Sequence, residues 1–136
     1  TKAEKLFSVA TIVAEALVRS NTITRQFLTR LMTETFGASD ANAAWSLRDA
    51  YDALETAQVL LLGRADWQGE HPQTTFAGLV AFQNSLPTQT YRSERQVDLQ
   101  QFSTPLALAW LAARAAMIAA SDSILEPSAG TGMLAA

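Results

Sequence analysis

Apolar side chains recur at steps of three and four residues near the start of the chain, and this spacing places them on one face of an α-helix. The stripe from Leu6 to Leu17 predicts a first helix over about residues 3–19. A helix with one apolar face is stable only when another element covers that face. The pattern therefore predicts a mainly α fold in which further helices act as partners.

Three more segments repeat this spacing and can supply those partners. The second helix is predicted to begin after a threonine cap, Thr22 or Thr24, and to stop at Gly37. A third is predicted over about residues 40–63, and a short fourth ends before Pro87. Short connections between such helices favour antiparallel packing, so a helical bundle is expected.

The predicted bundle covers residues 1–87, a polar linker covers 88–101, and a second domain begins at 102 and runs to 136. The composition is globular, with 49% hydrophobic and 17% charged residues. A net charge of −3 with scattered Lys and Arg gives no broad basic surface for nucleic acid. The most apolar run, residues 106–120, contains an arginine and is shorter than the ~20 residues that span a bilayer. We therefore expect a cytoplasmic protein with no membrane partner.

The segment after the linker carries the residues from which chemistry can be inferred. Pro105 suits the first turn of a helix, with Ser103 or Thr104 as its cap, and Ser121 and Asp122 are predicted to end this helix. Residues 123–126 are predicted to form a short buried strand that stops at Pro127. The glycines of "SAGTG" then predict a tight turn into another helix. This order is that of the first strand, glycine loop and helix start of a truncated α/β domain of Rossmann-like type.

Several groups in this segment are suited to one kind of ligand. Gly130 and Gly132 leave the backbone bare, so a ligand can approach the N–H groups of a helix start. Their spacing also fits the dinucleotide fingerprint G-x-G-x-x-G/A. A carboxylate at Glu126 would repel a pyrophosphate but would hold an ammonium group. With the hydroxyls upstream and the flat ring of Phe102, these groups indicate an amino acid joined to a nucleoside, such as S-adenosylmethionine.

Two motifs in this order also carry a resemblance to a known family. "QFSTP" followed by a helix and "ILEPSAGTG" resembles the paired N-terminal motifs of the adenine-specific DNA methyltransferases. Those enzymes place an aromatic-x-T-P segment before a helix, then a strand ending in (D/E)-P-x-x-G-x-G. The segment is also similar to the methyltransferase-like portion of large helicase proteins of the strawberry notch type. The resemblance covers roughly residues 100–136 and implies S-adenosylmethionine as cofactor and DNA as partner of the whole enzyme.

The resemblance further implies a role for each matching residue. Phe102 would pack beside the cofactor, and Thr104 would hydrogen-bond the methionine carboxylate. Glu126 would face the methionine ammonium, while Gly130 and Gly132 would let the loop pass under the nucleoside. The implied cofactor-binding residues are Phe102, Ser103, Thr104, Pro105, Glu126, Pro127, Ser128, Gly130 and Gly132.

The family pattern continues with an acidic residue at the tip of the next strand and a (D/N)-P-P-(aromatic) segment, and this sequence contains neither. The resemblance therefore implies a fragment with no catalytic residue, with cofactor binding that is absent or very weak, and with no methyl transfer of its own. The rest of the methyltransferase domain would be its partner, and the unpaired strand would favour self-association.

Two other functions remain open at the level of sequence. One is a non-enzymatic helical interaction domain of a larger, helicase-type DNA-processing protein, and the other is an NAD-binding oxidoreductase fragment. A metal site is not expected, because His71 has no second histidine and no cysteine near it. Asp49, Asp52 and Glu55 share one face of the third helix and are interpreted as a solvated charged face.

Overall fold

The computed structural model describes residues 1–64, 71–88, 103–119, 121–127 and 130–133. Within these ranges the chain forms five α-helices, with a short 3-10 helix between the second and third. They are α1 (Lys2–Val18), α2 (Arg25–Phe36), the 3-10 helix (Asp40–Asn42), α3 (Leu47–Leu62), α4 (Pro72–Ser85) and α5 (Leu106–Ala115). Helix α1 packs along α3, α2 contacts both, and α4 packs against α5.

The ends of the first helices follow from local capping. Thr24 caps α2 by accepting a hydrogen bond from the Phe27 amide, and α2 ends at Gly37 in the left-handed conformation, which confirms the prediction for this helix. Helix α3 begins later than predicted. Ser46 and Asp49 form a capping box, in which each side chain accepts a bond from the other residue's backbone amide, and this box sets the start of α3.

The principal core lies between α1, α2 and α3. Small side chains dominate the α1–α3 contact, where Ala10, Ala14, Ala53 and Ala57 are all buried, and this lets the two helices approach closely. The remaining buried members are Ala50 and larger side chains: Val9, Val13, Ile23, Leu28, Met32, Trp45, Tyr51, Leu54 and Leu86. The predicted packing of helices on one another is therefore present in α1, α2 and α3.

A second, smaller apolar cluster joins the C-terminal segment to the bundle. Leu79 of α4 is fully buried against Leu106, Ala107 and Ala109 of α5, and Met133 closes the cluster from the glycine-rich turn. Partly buried side chains of α3 and α4 also pack against it. Helix α5 and the glycine-rich turn are thus packed on the bundle. The predicted linker lies, apart from residue 88, outside the described residues.

The predicted truncated α/β, Rossmann-like domain is wrong, because no strand or sheet forms in the part of the chain that the structure describes. Residues 123–126 have no regular secondary structure, and Ile124 and Leu125 are exposed rather than buried. A four-residue segment with two apolar side chains becomes a buried strand only when a neighbouring strand pairs with it and a layer covers it. The self-association predicted through this strand loses the hydrogen-bonding edge on which it was based.

Two boundaries in the same segment also differ from the prediction. Pro105 is the N-cap residue of α5 and no side-chain hydrogen bond caps this helix, so neither Ser103 nor Thr104 acts as the cap. Helix α5 ends at Ala115, several residues before the predicted stop at Ser121. No described helix is both long enough and apolar enough to cross a membrane.

Gly37→Ala is expected to lower the free energy of unfolding by about 1 kcal/mol, because Gly37 has a φ of +74° that an alanine adopts only with strain. Gly78→Ala is the matched control: it lies inside α4 with no atom within 4 Å of an added Cβ, and it should stabilise by about 0.5–1 kcal/mol. Urea denaturation of both variants measures the difference. Equal shifts of the same sign would contradict the conformational explanation.

Candidate functional site

A cleft of about 200 Å³ lies where α3, the end of α4 and the start of α5 meet. Helix α3 supplies Tyr51, Leu54, Glu55 and Gln58, and α4 with the residues after it supplies Gln83, Leu86, Pro87 and Thr88. The C-terminal segment contributes Ser103, Thr104, Pro105, Leu106 and Met133. Bundle residues and motif residues therefore form the cleft together.

The two sequence motifs meet at the carboxylate of Glu55. The Ser103 hydroxyl donates to Glu55 Oε2 at 2.7 Å, and the Thr131 hydroxyl donates to the same oxygen at 3.1 Å. These two residues come from the "STP" segment and from the glycine-rich turn respectively. A single side chain of α3 thus connects both motifs to the bundle. The sequence pattern predicts that Glu55 belongs to a solvated face, but in the structure Glu55 is half-buried and lines the cleft.

Fewer backbone N–H groups are available to a ligand at the start of α5 than the sequence predicts. Thr104 is half-buried and lines the cleft beside Pro105. The amide of Ala107, which has no intrahelical partner, donates to Gln83 Oε1 at 3.2 Å. The Gln83 side chain therefore accepts a hydrogen bond from one of the N–H groups that the sequence predicts to be available to a ligand.

The glycine-rich turn has the backbone shape that its sequence predicts. Gly130 and Gly132 have φ values of +54° and +89°, in the region that favours glycine. An added Cβ on Gly132 would meet no atom within 4 Å, so conformation rather than crowding requires glycine there. The turn places Met133 in the cleft wall, where it is buried. The helix predicted from about residue 131 is not formed up to residue 133.

The remaining predicted cofactor residues are not brought into the cleft. Glu126 is half-buried and Pro127 is exposed in a turn, and neither is among the described residues that line it. Phe102 and Ser128 lie outside the described residues. The structure therefore brings Ser103, Thr104 and Pro105 into the cleft and adds α3 as an unpredicted wall. Thr131, between the two glycines, contacts Glu55, but neither Gly130 nor Gly132 is among the described residues that line the cleft.

Of the three acidic side chains on this face of α3, Glu55 lines the cleft, while Asp49 pairs with Lys2 and Asp52 with Arg48. Burial raises the pKa of Asp52. The positive charge of Arg48 acts to lower this pKa, and the negative charges of Glu55 and Asp49 act to raise it. Burial also acts to raise the pKa of Asp49, but hydrogen bonds from Lys2 and Ser46 outweigh it and hold that pKa below its ordinary value. None of the described residues lining the cleft is a lysine or an arginine. The cleft is therefore suited to a cation or a hydrogen-bond donor rather than to a phosphate.

The described residues contain no group of three or more His, Cys, Asp or Glu side chains placed to hold a metal ion. His71 is exposed at the N-cap position of α4. Comparison with known proteins adds no assignment, since no protein-family model, curated protein or solved structure matches this chain.

Proposed function

We propose that the cleft binds the amino-acid end of S-adenosylmethionine, and that the chain carries the first cofactor-binding motifs of a DNA-adenine methyltransferase-like protein. The observation that carries the proposal is the convergence of two distant segments on one carboxylate. Ser103 and Thr131 belong to the two motifs that resemble this family, and both donate to Glu55. The first motif lines the cleft, and the second reaches its wall through the bond from Thr131 to Glu55.

The size and polarity of the cleft also favour this ligand over a nicotinamide dinucleotide. Sites that enclose a whole drug-sized ligand have about 300–1,000 Å³, whereas this cleft has about 200 Å³. That volume suits an amino-acid moiety, with the nucleoside extending outward. A dinucleotide would also bring a pyrophosphate toward Glu55 in a cleft whose described lining has no basic side chain.

The proposed roles follow from the positions of the side chains. The hydroxyl of Thr104 can donate to the carboxylate of the ligand. The left-handed turn at Gly130 and Gly132 places Thr131 against Glu55 and Met133 in the cleft wall. S-adenosylmethionine would supply the methyl group. DNA as the partner of the whole enzyme is proposed from the resemblance alone. The residues of this chain are assigned to cofactor binding, and none is assigned to methyl transfer.

Thr104→Ala is expected to weaken binding of S-adenosylhomocysteine severalfold, because it removes the hydroxyl that donates to the ligand carboxylate. Wild-type affinity is expected near 1 mM, about −4 kcal/mol, since a small open cleft buries little of the ligand. Titration of the ¹⁵N-labelled chain, followed by amide chemical shifts, measures such affinities. The shifts should concentrate at residues 103–106 and 130–133.

Thr75→Ala is the control, because this exposed α4 hydroxyl donates to its own helix and does not line the cleft. It should bind like the wild type. Shifts caused more strongly by NAD than by S-adenosylhomocysteine would favour the oxidoreductase alternative. If neither ligand shifts the cleft resonances at about 5 mM, the proposal is wrong and an interaction domain is favoured.

A further inference from the structure

Gln58 presents a buried acceptor to the cleft. Its side chain is only 7% exposed and lines the cleft one turn after Glu55. Among the described residues, its side-chain hydrogen bond is the long one from Nε2 to the Leu54 carbonyl, at 3.4 Å, and Oε1 accepts none. Buried polar atoms in folded proteins nearly always have a partner. A buried amide oxygen at a cleft wall that accepts no hydrogen bond from the described residues indicates that a ligand supplies the donor.

Glu55 adds a second acceptor on the same wall. Both hydroxyl bonds from Ser103 and Thr131 end on Oε2, so Oε1 keeps its full accepting capacity with respect to the described residues. No described lysine or arginine forms an ion pair with this carboxylate. The Tyr51 hydroxyl donates to the Thr88 carbonyl at 2.9 Å, so its oxygen too is left as an acceptor.

From these acceptors we infer that Glu55 and Gln58 hold the ammonium group of the ligand that the cleft binds. The inference rests on the proposed function and deepens it, because it assigns part of the binding site to the helical bundle. An ammonium group has three N–H donors and one positive charge. The three oxygens named above accept no hydrogen bond from the described residues, and one of them belongs to a carboxylate that forms no ion pair with those residues. Residues three apart on a helix share a face, so both oxygens can reach one nitrogen.

This assignment differs from the one that the family resemblance implies for Glu126. Glu126 is half-buried, but it is not among the described residues that line the cleft. Glu55 lies at the meeting point of the two motifs. The carboxylate that contacts the ammonium is therefore supplied by α3.

The test compares two ligands that differ in the amino group alone. S-adenosylhomocysteine and its deaminated analogue are titrated into the wild type and into Glu55→Gln, Gln58→Met, Glu126→Gln and Glu15→Gln, with amide shifts as the measurement. The wild type should prefer S-adenosylhomocysteine by about tenfold. Glu55→Gln keeps an oxygen for Ser103 and Thr131 but loses the charge, so this preference should fall to about twofold or less. Gln58→Met should reduce it severalfold.

Glu126→Gln and Glu15→Gln, an exposed carboxylate on α1, should leave the preference intact. A purely structural effect of Glu55→Gln would weaken both ligands equally, leave the ratio unchanged and overturn the inference. Loss of the preference in Glu126→Gln alone, or equal binding of both ligands to the wild type, would also overturn it while the proposed function stands. Absence of cleft shifts with either ligand would overturn both.

Discussion

Trp45→Ala is expected to lower the free energy of unfolding by about 3–5 kcal/mol, the range for deleting a buried aromatic side chain. Trp45 is 2% exposed and lies just before α3, in the core formed by α1, α2 and α3. Its indole Nε1 also donates to the Ala38 carbonyl at 2.7 Å. The indole therefore fills the core and holds the turn between α2 and α3. Domains of this size are stable by only about 5–15 kcal/mol, so a large fraction of the stability would be lost.

Urea denaturation followed by circular dichroism measures this loss. Phe7→Ala is the matched control, because Phe7 is a large aromatic side chain on α1 that is 56% exposed, and its removal should change stability by less than about 0.5 kcal/mol. Trp45→Phe retains most of the apolar volume but lacks the donor to Ala38, so it should fall between the two. A loss below about 1 kcal/mol for Trp45→Ala would contradict the core position of this residue.

Local signals explain why the first three helices could be predicted from the sequence. Thr24 caps α2 through an amide three residues away, and Gly37 ends the helix by its own backbone conformation. Such local features can be predicted from the sequence without knowing the fold. The start of α3 was missed because two capping sites compete. Asp40 begins only a 3-10 turn, whereas Ser46 has Asp49 three residues later and forms the complete box.

Local signals could not decide whether residues 123–126 form a strand. Their apolar pattern is compatible with a strand, but a strand requires pairing with distant backbone that short-range spacing does not report. The partnership of Glu55 with Ser103 and Thr131 is also nonlocal, since it joins residues 48 and 76 positions apart. A charge at a three-residue step from Asp49 and Asp52 is typical of a solvated face. Only the packing of α5 on the bundle shows that the last carboxylate of that series lines a cleft.

Leu79→Ala is expected to destabilise the contact between α4 and α5 by about 2–5 kcal/mol and to abolish the proposed binding of S-adenosylmethionine. Leu79 is fully buried at the centre of the smaller apolar cluster, where it meets Leu106 of α5 and Met133 of the glycine-rich turn. The same elements carry both motifs to the cleft. Because α1, α2 and α3 have their own core, loss of this cluster should release the motifs and leave the three-helix core folded.

Hydrogen exchange separates these two parts of the molecule. In Leu79→Ala, amides of α5 should lose protection while those of α1 and α3 keep theirs, and S-adenosylhomocysteine should no longer shift residues 103–106. Leu108→Ala is the control, because this leucine of α5 is 52% exposed and its truncation should leave both protection and binding unchanged. Equal loss of protection in α1 and α5 would show that the two clusters unfold as one unit. Binding that survives the loss of α5 protection would show that the cleft is not where the ligand binds, because Glu55 would then have lost both hydroxyl partners without consequence.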